Sequence, residues 1–505
     1  MLDFNIICEN HFKVFLPEIY IVSISLFLLI VGVTFSNLNR YKYPYFIKET
    51  GILTVITLFF TLCLIINNPI KDIVIFNSMF IINDFTTFIK SFALLSTLGC
   101  LIISSKFLKE TGLNTYEYFI LLLFSSFGLL CFISSFDLIS LYVSLEVQSL
   151  SFYILASMKR NSAFSTEAGL KYFILGAFSS GILLLGISFI YGVVGTTSFE
   201  DLGKFFIGFN FLELSLDLFN INNRIILGII CIFVGILFKL TAAPFHMWAP
   251  DVYEGSPFFV TILFSVVPKI GLFAVAIKTF YIGLYEGFFY WHSVALFCSV
   301  SSIFIGTLKA LQQNKIKRFF AYSSIGHVGF LLLGFATGTF IGLQSLLFYL
   351  VIYTIMMLNV WSIIISLRLK NKQYNYIRYI SDLQGLSKSN PVLAYTLAIN
   401  MFSMAGVPPL AGFFAKFYIL FSSFEAGMHF LVIFSILFSV ISAFYYLRFI
   451  KIIFFDIDKG NYLYKVDITY THSLLTGISF LFILFFFIYP NSLFILTQYV
   501  SLSIF

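Results

Sequence analysis

The feature that most constrains this 505-residue chain is the repetition of long apolar runs. Each run holds roughly 20 residues, the length that an α-helix needs to cross the hydrocarbon core of a bilayer. Only 10% of the residues are charged, against about 25% in an ordinary soluble domain. The runs predict an all-α polytopic membrane protein with about 14 transmembrane helices. The predicted spans lie near 15–36, 51–67, 84–104, 117–135, 138–157, 168–194, 225–247, 256–280, 293–308, 322–337, 341–367, 391–423, 428–455 and 472–498.

Charged residues in the loops between these spans predict their orientation. The loops after spans 1, 3, 5, 9 and 11 are basic, and those after spans 6, 8 and 12 are acidic or nearly neutral. The basic residues are Arg40, Lys42, Lys48, Lys106, Lys109, Lys159, Arg160, Lys309, Lys315, Lys317, Arg318, Arg368, Lys370, Lys372 and Arg378, and the acidic ones are Glu200, Asp201, Glu213, Glu286 and Glu425. This alternation places both termini on the side opposite the basic loops. The loop after span 7 is an exception, because it carries Asp251 and Glu254, and we interpret it as a functional mouth.

Two of the predicted spans are interrupted by proline. In the seventh, Lys239 is followed five residues later by Pro244, and His246 lies two residues beyond the break. In the twelfth, Pro408 and Pro409 precede Lys416. A proline inside a helix removes a backbone donor and frees carbonyl groups. Broken helices with charges inside the membrane are typical of polar pathways through transport proteins.

Four charged side chains fall near the middle of predicted spans: Glu146, Lys239, Lys269 and Lys416. Lys269, for example, stands twelve residues after Pro257 and nine before Lys278, which we take as the end of its span. Each buried charge costs about 2.5–3.5 kcal/mol to insert. Ion pairs that merely hold helices together would explain one such charge as well as a transport role does. Four charges, two of them on broken helices, favour a proton pathway.

The chemistry that these four residues allow is a proton relay. If Glu146 approaches Lys239, the lysine keeps its proton, and if Glu146 moves away, Lys239 can release the proton through water to Lys269. Lys416 would then pass it to the far side of the membrane. Moving one charge against 100 mV requires about 2.3 kcal/mol, so the energy must come from a partner protein or a counter-ion gradient.

Three further residues could belong to this pathway. His246 and His327 could bridge the lysines, because imidazole both donates and accepts protons. For each histidine taken alone, a role in helix packing explains the residue equally well. Lys171 begins span 6 close to Lys159 and Arg160, and an interfacial anchor is the favoured interpretation for it.

The chain carries no recognisable cofactor motif. Its six cysteines form no Cys-x-x-Cys pair, and most lie in apolar runs, so we interpret them as packing residues. No glycine-rich phosphate loop follows a predicted strand, so we expect no nucleotide, flavin, iron–sulfur or metal site. The net charge of +7 is scattered over short loops and does not indicate nucleic-acid binding. Asp3 and Glu9 argue against a cleaved mitochondrial presequence.

Specific motifs resemble those of a known family. The stretch KLTAAPFHMWAPDVYEGSP, at 239–257, resembles the signature of the subunit 2 family of NADH dehydrogenase, antiporter-like subunits in the membrane arm of respiratory complex I. Similar segments are SLEVQSLSFYILA (144–156), STEAGLKYFILGAFSSGILLLG (165–186), KRFFAYSSIGHVGF (317–330), DLQGL (382–386), MAGVPPLAGFFAKFYIL (404–420) and FYYLRFIKIIFF (444–455). The resemblance spans 15–500. The related subunit 4 carries a glutamate where Lys416 stands, and nothing after span 14 resembles the lateral helix of subunit 5.

The resemblance implies a fold of 14 helices with two inverted five-helix repeats, each containing a Pro-broken helix. Within a single transmembrane domain, 1–505, it implies three N-terminal helices (1–110), the two repeats (111–280 and 290–455) and a C-terminal helix (470–505). The residues that match the family's proton relay are Glu146, Lys239, Lys269 and Lys416, with His246, His327 and Lys171 at further positions.

The resemblance also implies a function. It is that of a core membrane subunit of NADH:ubiquinone oxidoreductase, which translocates protons while other subunits, with NADH, FMN, iron–sulfur clusters and ubiquinone, carry out the redox chemistry. The implied partners are neighbouring membrane-arm subunits and membrane lipids, with cardiolipin a candidate, and no nucleic acid. The implied location is the mitochondrial inner membrane of a non-animal eukaryote, with both termini in the intermembrane space. Two alternatives are an Mrp-type cation/proton antiporter subunit, which would need a cation site, and a scaffold that has lost pumping.

Overall fold

The structure is a computed structural model that describes residues 10–36, 47–111, 115–207, 216–369, 375–456, 464–466 and 469–504. Several residues used above lie outside these ranges: Asp3, Cys8, Glu9, Arg40, Lys42, Glu213, Lys370 and Lys372. The remaining candidate residues lie inside them.

The described residues are mostly helical. The α-helices are α1 (Leu16–Ser36), α2 (Ile47–Ile66), α3 (Asp84–Thr111), α4 (Tyr116–Ser134), α5 (Leu138–Ala156), α6 (Ala163–Val194), α7 (Phe199–Ile207), α8 (Leu216–Lys239), α9 (Trp248–Gly255), α10 (Phe258–Lys278), α11 (Phe288–Leu311), α12 (Ile316–Ala336), α13 (Phe340–Ser366), α14 (Leu386–Ser389), α15 (Pro391–Ala405), α16 (Ala411–Glu425), α17 (His429–Phe454), α18 (Tyr470–Phe485) and α19 (Asn491–Leu502). Short strands form an antiparallel pair, β1 (Ile73–Ile75) with β2 (Phe80–Ile82), and a three-stranded sheet in which β3 (Leu367–Leu369) pairs with both β4 (Asn375–Tyr376) and β5 (Tyr464–Val466).

The predicted membrane architecture is confirmed. Within the described ranges, 13 helices are long and apolar enough to cross a membrane. The remaining predicted span, 391–423, consists of two helices of 15 residues each, α15 and α16. In the apolar segments of α10 and α12, 94% of the residues are buried, whereas in that of α17 only 28% are. Helices α10 and α12 therefore lie at the centre of the helix assembly.

The first broken helix stops at Lys239, and α9 resumes at Trp248. Side chains replace the missing helical donors at the break. The Trp248 indole N–H donates to the carbonyl of Phe238 at 3.1 Å, and the Ser301 hydroxyl donates to that of Ala243 at 2.8 Å. Irregular backbone is therefore tolerated here because it is enclosed by protein.

The second broken helix stops at Ala405, and α16 resumes at Ala411. Gly406 caps α15 in the left-handed conformation, with φ of 90°, which glycine adopts without steric cost. A Cβ at Gly406 would also lie 3.0 Å from Cδ of Lys416. The break therefore holds the Lys416 side chain directly against the end of α15.

Some predicted boundaries were wrong. The helix predicted to start at 225 begins at Leu216, since Asn and Arg residues extend it beyond the apolar run. The predicted loop 195–224 contains the short helix α7, and 368–390 contains β4 and α14. The last span, 472–498, is divided near Pro490 into α18 and α19.

Candidate functional site

Lys239 is buried at the end of α8, where its Nζ donates to the hydroxyl of Tyr153 at 2.8 Å. The same ammonium lies 5.3 Å from the centroid of the Tyr153 ring, which adds a cation–π contact. Tyr153 belongs to α5, so the contact joins the helix that carries Glu146 to the broken helix. A phenol hydroxyl can accept a proton at its oxygen and donate its own, so this pair is suited to proton transfer.

Glu146 stands seven residues before Tyr153, two turns away on α5. Its Oε2 accepts a long hydrogen bond from Ser149 at 3.4 Å, and its buried Oε1 has no hydrogen-bond partner in the described part of the chain. Glu146 also has no ion-pair partner there. Glu146 lies within electrostatic range of Lys239, whose ammonium hydrogen-bonds to the Tyr153 hydroxyl and not to the carboxylate. The switch stays a prediction.

We expect Tyr153→Phe to lower proton transport without preventing folding. The substitution keeps the ring but removes the acceptor of a buried ammonium, and such a hydrogen bond contributes about 1.5–3 kcal/mol. The measurement is the number of protons moved per substrate oxidised in sealed vesicles. Tyr118→Phe is the matched control, because it removes a buried phenol hydroxyl that contacts Ser104 at 3.3 Å and no lysine. Equal transport in both variants would contradict a role for the Tyr153 hydroxyl.

Lys269 repeats this geometry on α10. Its side chain is 2% exposed, and its Nζ donates to the hydroxyl of Tyr353 at 2.8 Å and lies 4.9 Å from the centroid of that ring. The Tyr353 hydroxyl in turn donates to the carbonyl of Ser265 at 3.2 Å. Two lysines on different helices therefore each bind a neutral phenol from α5 or α13.

His327 lies between Lys269 and Lys416. Its ring is 5.3 Å from that of Tyr353, centroid to centroid, and both lysines are within electrostatic range of it. The ring nitrogens are within hydrogen-bonding distance of two more phenols, those of Tyr349 at 2.7 Å and Tyr446 at 3.1 Å. His327 is thus close to groups that contact or sense both lysines, and its bridging role stays a prediction.

Lys416 lies at the second break. Its Nζ donates to the carbonyl of Ala405 at 2.8 Å and lies 5.5 Å from the centroid of Phe330, one turn after His327 on α12. A cation next to the last carbonyls of α15 is favoured by the helix dipole. Lys416 therefore has a backbone acceptor where Lys239 and Lys269 have phenols.

His246 is buried beside the first break, but no described contact joins it to Lys239 or Lys269. Its Nδ1 has no hydrogen-bond partner among the described residues, and the lysine within electrostatic range of it is Lys309. The bridging role of His246 stays a prediction.

Lys171 is half-exposed in the third turn of α6 and forms ion pairs with Glu167 at 2.7 Å and Asp251 at 3.1 Å. Asp251 and Glu254, the acidic exception among the basic loops, both lie on α9 and pair with Arg318. The acidic residues are thus enclosed by basic ones at a common face. A cavity of about 470 Å³ opens there and is lined by Lys159, Glu254, Lys315, Lys317 and Arg378, among others.

The buried tyrosines near these lysines were not predicted from the sequence. Besides Tyr153 and Tyr353, Tyr172 packs edge-on against Tyr153 with centroids 4.7 Å apart. Ser324 interacts with the phenols of both Tyr253 and Tyr353. Hydroxyl groups therefore lie close to both Lys239 and Lys269. A tyrosine in an apolar run is ordinary, and the spacing of Tyr153 from Glu146 was the available signal.

No carboxylate contacts Lys239, Lys269 or Lys416 within the described ranges; their acceptors are two phenols and one backbone carbonyl. The alternative that these lysines form ion pairs that only hold helices together therefore finds no support in the geometry.

Comparison with known proteins identifies the family of this chain. A family model described as "NADH:quinone oxidoreductase/Mrp antiporter, TM" matches residues 135–442, which contain all seven residues predicted for the proton relay. NADH-ubiquinone oxidoreductase chain 2 of Marchantia polymorpha is 46% identical over 98% of this chain and 99% of its own length. The chain belongs to the NADH-ubiquinone oxidoreductase chain 2 family. The predicted resemblance is confirmed.

Solved structures agree on the fold. A chain of respiratory complex I from Thermus thermophilus, solved with bound aureothin, superposes with a TM-score of 0.76 at 24% identity and covers 95% of this chain and 99% of that chain. A chain of the Mrp complex from a Dietzia species gives 0.78 at 18% identity, with 97% of each chain covered. At these identities the likeness establishes the antiporter-like membrane fold that both share.

Proposed function

We propose that this chain is a core membrane subunit of NADH:ubiquinone oxidoreductase and moves protons across the mitochondrial inner membrane. The observation that carries the transport role is that the three lysines lie buried in the membrane domain with neutral acceptors. A buried lysine without a carboxylate partner can lose and regain its proton at a lower cost than one locked in an ion pair. The chain 2 family membership supports the assignment to this enzyme.

The relay runs along the two repeats, 111–280 and 290–455. Lys239 receives a proton from the basic side and passes it through the phenol of Tyr153 and the neighbouring hydroxyls toward Lys269. Tyr353 and His327 carry it from there to Lys416, which releases it to the opposite side. Glu146 controls the first step, because its approach to Lys239 would hold the proton there.

The redox chemistry takes place on other subunits of the complex, which hold FMN and iron–sulfur clusters and react with NADH and ubiquinone. This chain contributes the pathway and is driven by coupling to them. Neighbouring membrane-arm subunits and membrane lipids, with cardiolipin a candidate, surround it. The basic loops face the matrix, and both termini face the intermembrane space.

The assembly can be tested directly. Mitochondrial membranes are solubilised gently, separated on a native gel, stained for NADH oxidation and searched for this chain by peptide mass. We expect the chain in a band of roughly megadalton size that oxidises NADH. If it runs in a small assembly without NADH oxidation, the alternative of an Mrp-type cation/proton antiporter subunit takes over, and sodium- or potassium-driven proton exchange is measured instead.

Glu146→Gln is expected to lower the number of protons moved per NADH oxidised. The amide keeps the shape of the side chain but removes the negative charge that modulates Lys239. The readout is acidification in sealed vesicles measured together with NADH oxidation. Glu200→Gln is a control, because Glu200 forms an exposed pair with Lys204 on α7. A normal proton-to-NADH ratio in the Glu146 variant would rule out the switch.

A further inference from the structure

A second group of buried ionisable residues lies outside the relay, in the N-terminal helices. Lys90 on α3 and Glu18 on α1 form an ion pair at 2.5 Å, and their side chains are 3% and 0% exposed. Oε2 of Glu18 is buried and has no hydrogen-bond partner among the described residues. This carboxylate therefore retains an unused acceptor.

Lys278, the last residue of α10, belongs to the same group. Lys278 marks the end of the predicted apolar run, but the helical span continues to Gly283 and the residue is 0% exposed. Its ammonium donates to the carbonyls of Ile133 and Ser135 at the end of α4. These carbonyls carry the partial negative charge of a helix C-terminus. In the described ranges Lys278 contacts no carboxylate.

The three side chains lie near one another at one end of the helix assembly. Helices α1 and α3 begin near Glu18 and Lys90, and α4 and α10 end near Ser135 and Lys278. Lys90 repels Lys278 electrostatically, and the buried thiol of Cys131 lies in the field of Glu18 and Lys90. Glu18, Lys90, Lys278 and Cys131 are the titratable groups that face one another here.

The charge balance of this group is uneven. Two ammonium groups and one carboxylate leave a net charge of +1 in a region without solvent exposure. Two nearby cations in a low-dielectric site are difficult to keep protonated together, and neutral packing would cost less than an incompletely paired charge. Loss of one proton would make the group neutral.

A cluster of polar side chains lies at the solvent-exposed start of the helix that carries Lys90. Asp84, six residues before Lys90 at the start of α3, accepts hydrogen bonds from Lys71 and from Tyr499, each at 2.7 Å. The hydrogen bond from Lys71 to Asp84 raises the pKa of Lys71, which therefore stays protonated at this surface. The Lys71 side chain is 53% exposed and that of Asp84 is 17% exposed, so this cluster lies at the solvent-facing start of α3, about 9 Å along the helix from Lys90.

We propose that Glu18, Lys90 and Lys278 form a proton-exchange site at the membrane face where α1 and α3 begin. In the loaded state Glu18 is a carboxylate and both lysines are ammonium groups. Release of one proton to water at that face leaves the group neutral, and uptake of one proton restores it. Lys269 stands about 13 Å away along the axis of α10, so exchange with the relay passes through water. This inference rests on the proposed proton transport.

The test is Lys278→Arg in the intact complex. A guanidinium keeps the positive charge and can still donate to both carbonyls, but it cannot release a proton. We expect the complex to assemble, with proton transfer at this site slowed roughly 10²-fold and a lower proton-to-NADH ratio in sealed vesicles. The dependence of that ratio on pH should also flatten. Lys204→Arg, on the exposed end of α7, is the matched control and should behave as the unmodified protein.

A purely structural Lys278 would tolerate arginine, so a normal ratio and pH profile in the assembled variant would overturn the proposal. If the larger side chain prevents assembly, the double variant Glu18→Gln with Lys90→Gln tests the proposal instead. It replaces the ion pair by two amides that can bind each other, and we expect a lowered ratio. A normal ratio in that variant would equally overturn the proposal.

The same assay separates this site from the relay. If Lys239→Ala abolishes transport while the Lys278 variant pumps normally, the relay stands and the second site fails. If both variants pump normally, the proposed function itself fails.

Discussion

Replacing Lys239 with alanine is expected to remove most proton transport through this chain. The substitution deletes the ammonium that contacts Tyr153 at 2.8 Å, and the neighbouring phenols cannot hold an extra proton in its place. Groups that transfer protons typically accelerate the transfer by about 10²–10⁴-fold, so we expect a loss of that order. The measurement is acidification of sealed vesicles by a pH-sensitive dye, recorded together with NADH oxidation. Because transport and oxidation are coupled, we expect the oxidation rate to fall as well.

The control for this variant is Lys204→Ala, which removes a lysine that is 67% exposed. Both complexes should first be shown to assemble on a native gel. Alanine leaves Lys239's site apolar, so a folding defect is not expected from an unpaired charge. A normal proton-to-NADH ratio in the Lys239 variant would exclude this lysine from the pathway.

Gly412→Ala is expected to disrupt the second broken helix. A Cβ at this position would lie 1.9 Å from the carbonyl oxygen of Ser403, because the start of α16 crosses closely over α15. The Gly412 amide also donates to the Ser403 hydroxyl at 3.0 Å, which holds the two backbones together. Overpacking of this kind costs about 1–3 kcal/mol or more, since backbone must move. We expect less assembled complex on a native gel and a lower unfolding temperature for what remains.

Gly181→Ala on α6 is the matched control. A Cβ there has no atom within 4 Å, so alanine should be tolerated or slightly stabilise the helix. Equal amounts and equal thermal stability of the two variant complexes would contradict the close crossing of α15 and α16.

The candidate charges could be predicted because each departs from its surroundings. A lysine or glutamate inside an apolar run is costly and therefore visible in the sequence. The partners could not be predicted in this way. Tyr153 and Tyr353 lie in apolar runs where tyrosine is common, and Tyr153 contacts a lysine 86 residues further along the chain.

The burial of Lys278 could not be predicted from its place in the sequence. A lysine at the end of an apolar run normally extends its ammonium to the membrane surface. In the folded chain, α3 and α4 cover the end of α10 and enclose the ammonium. The position of a residue within its own helix therefore did not decide its exposure.

Hydropathy and the positions of proline were enough to predict the membrane class, the approximate spans and the two breaks. These properties are local, because a membrane helix satisfies its own backbone hydrogen bonds and its length must match the bilayer. The tertiary structure decided which acceptor each buried charge has, that His327 rather than His246 lies between lysines, and that Glu18, Lys90 and Lys278 meet. These properties depend on how distant helices pack against one another, and hydropathy carries no information about which polar groups will face each other across that packing.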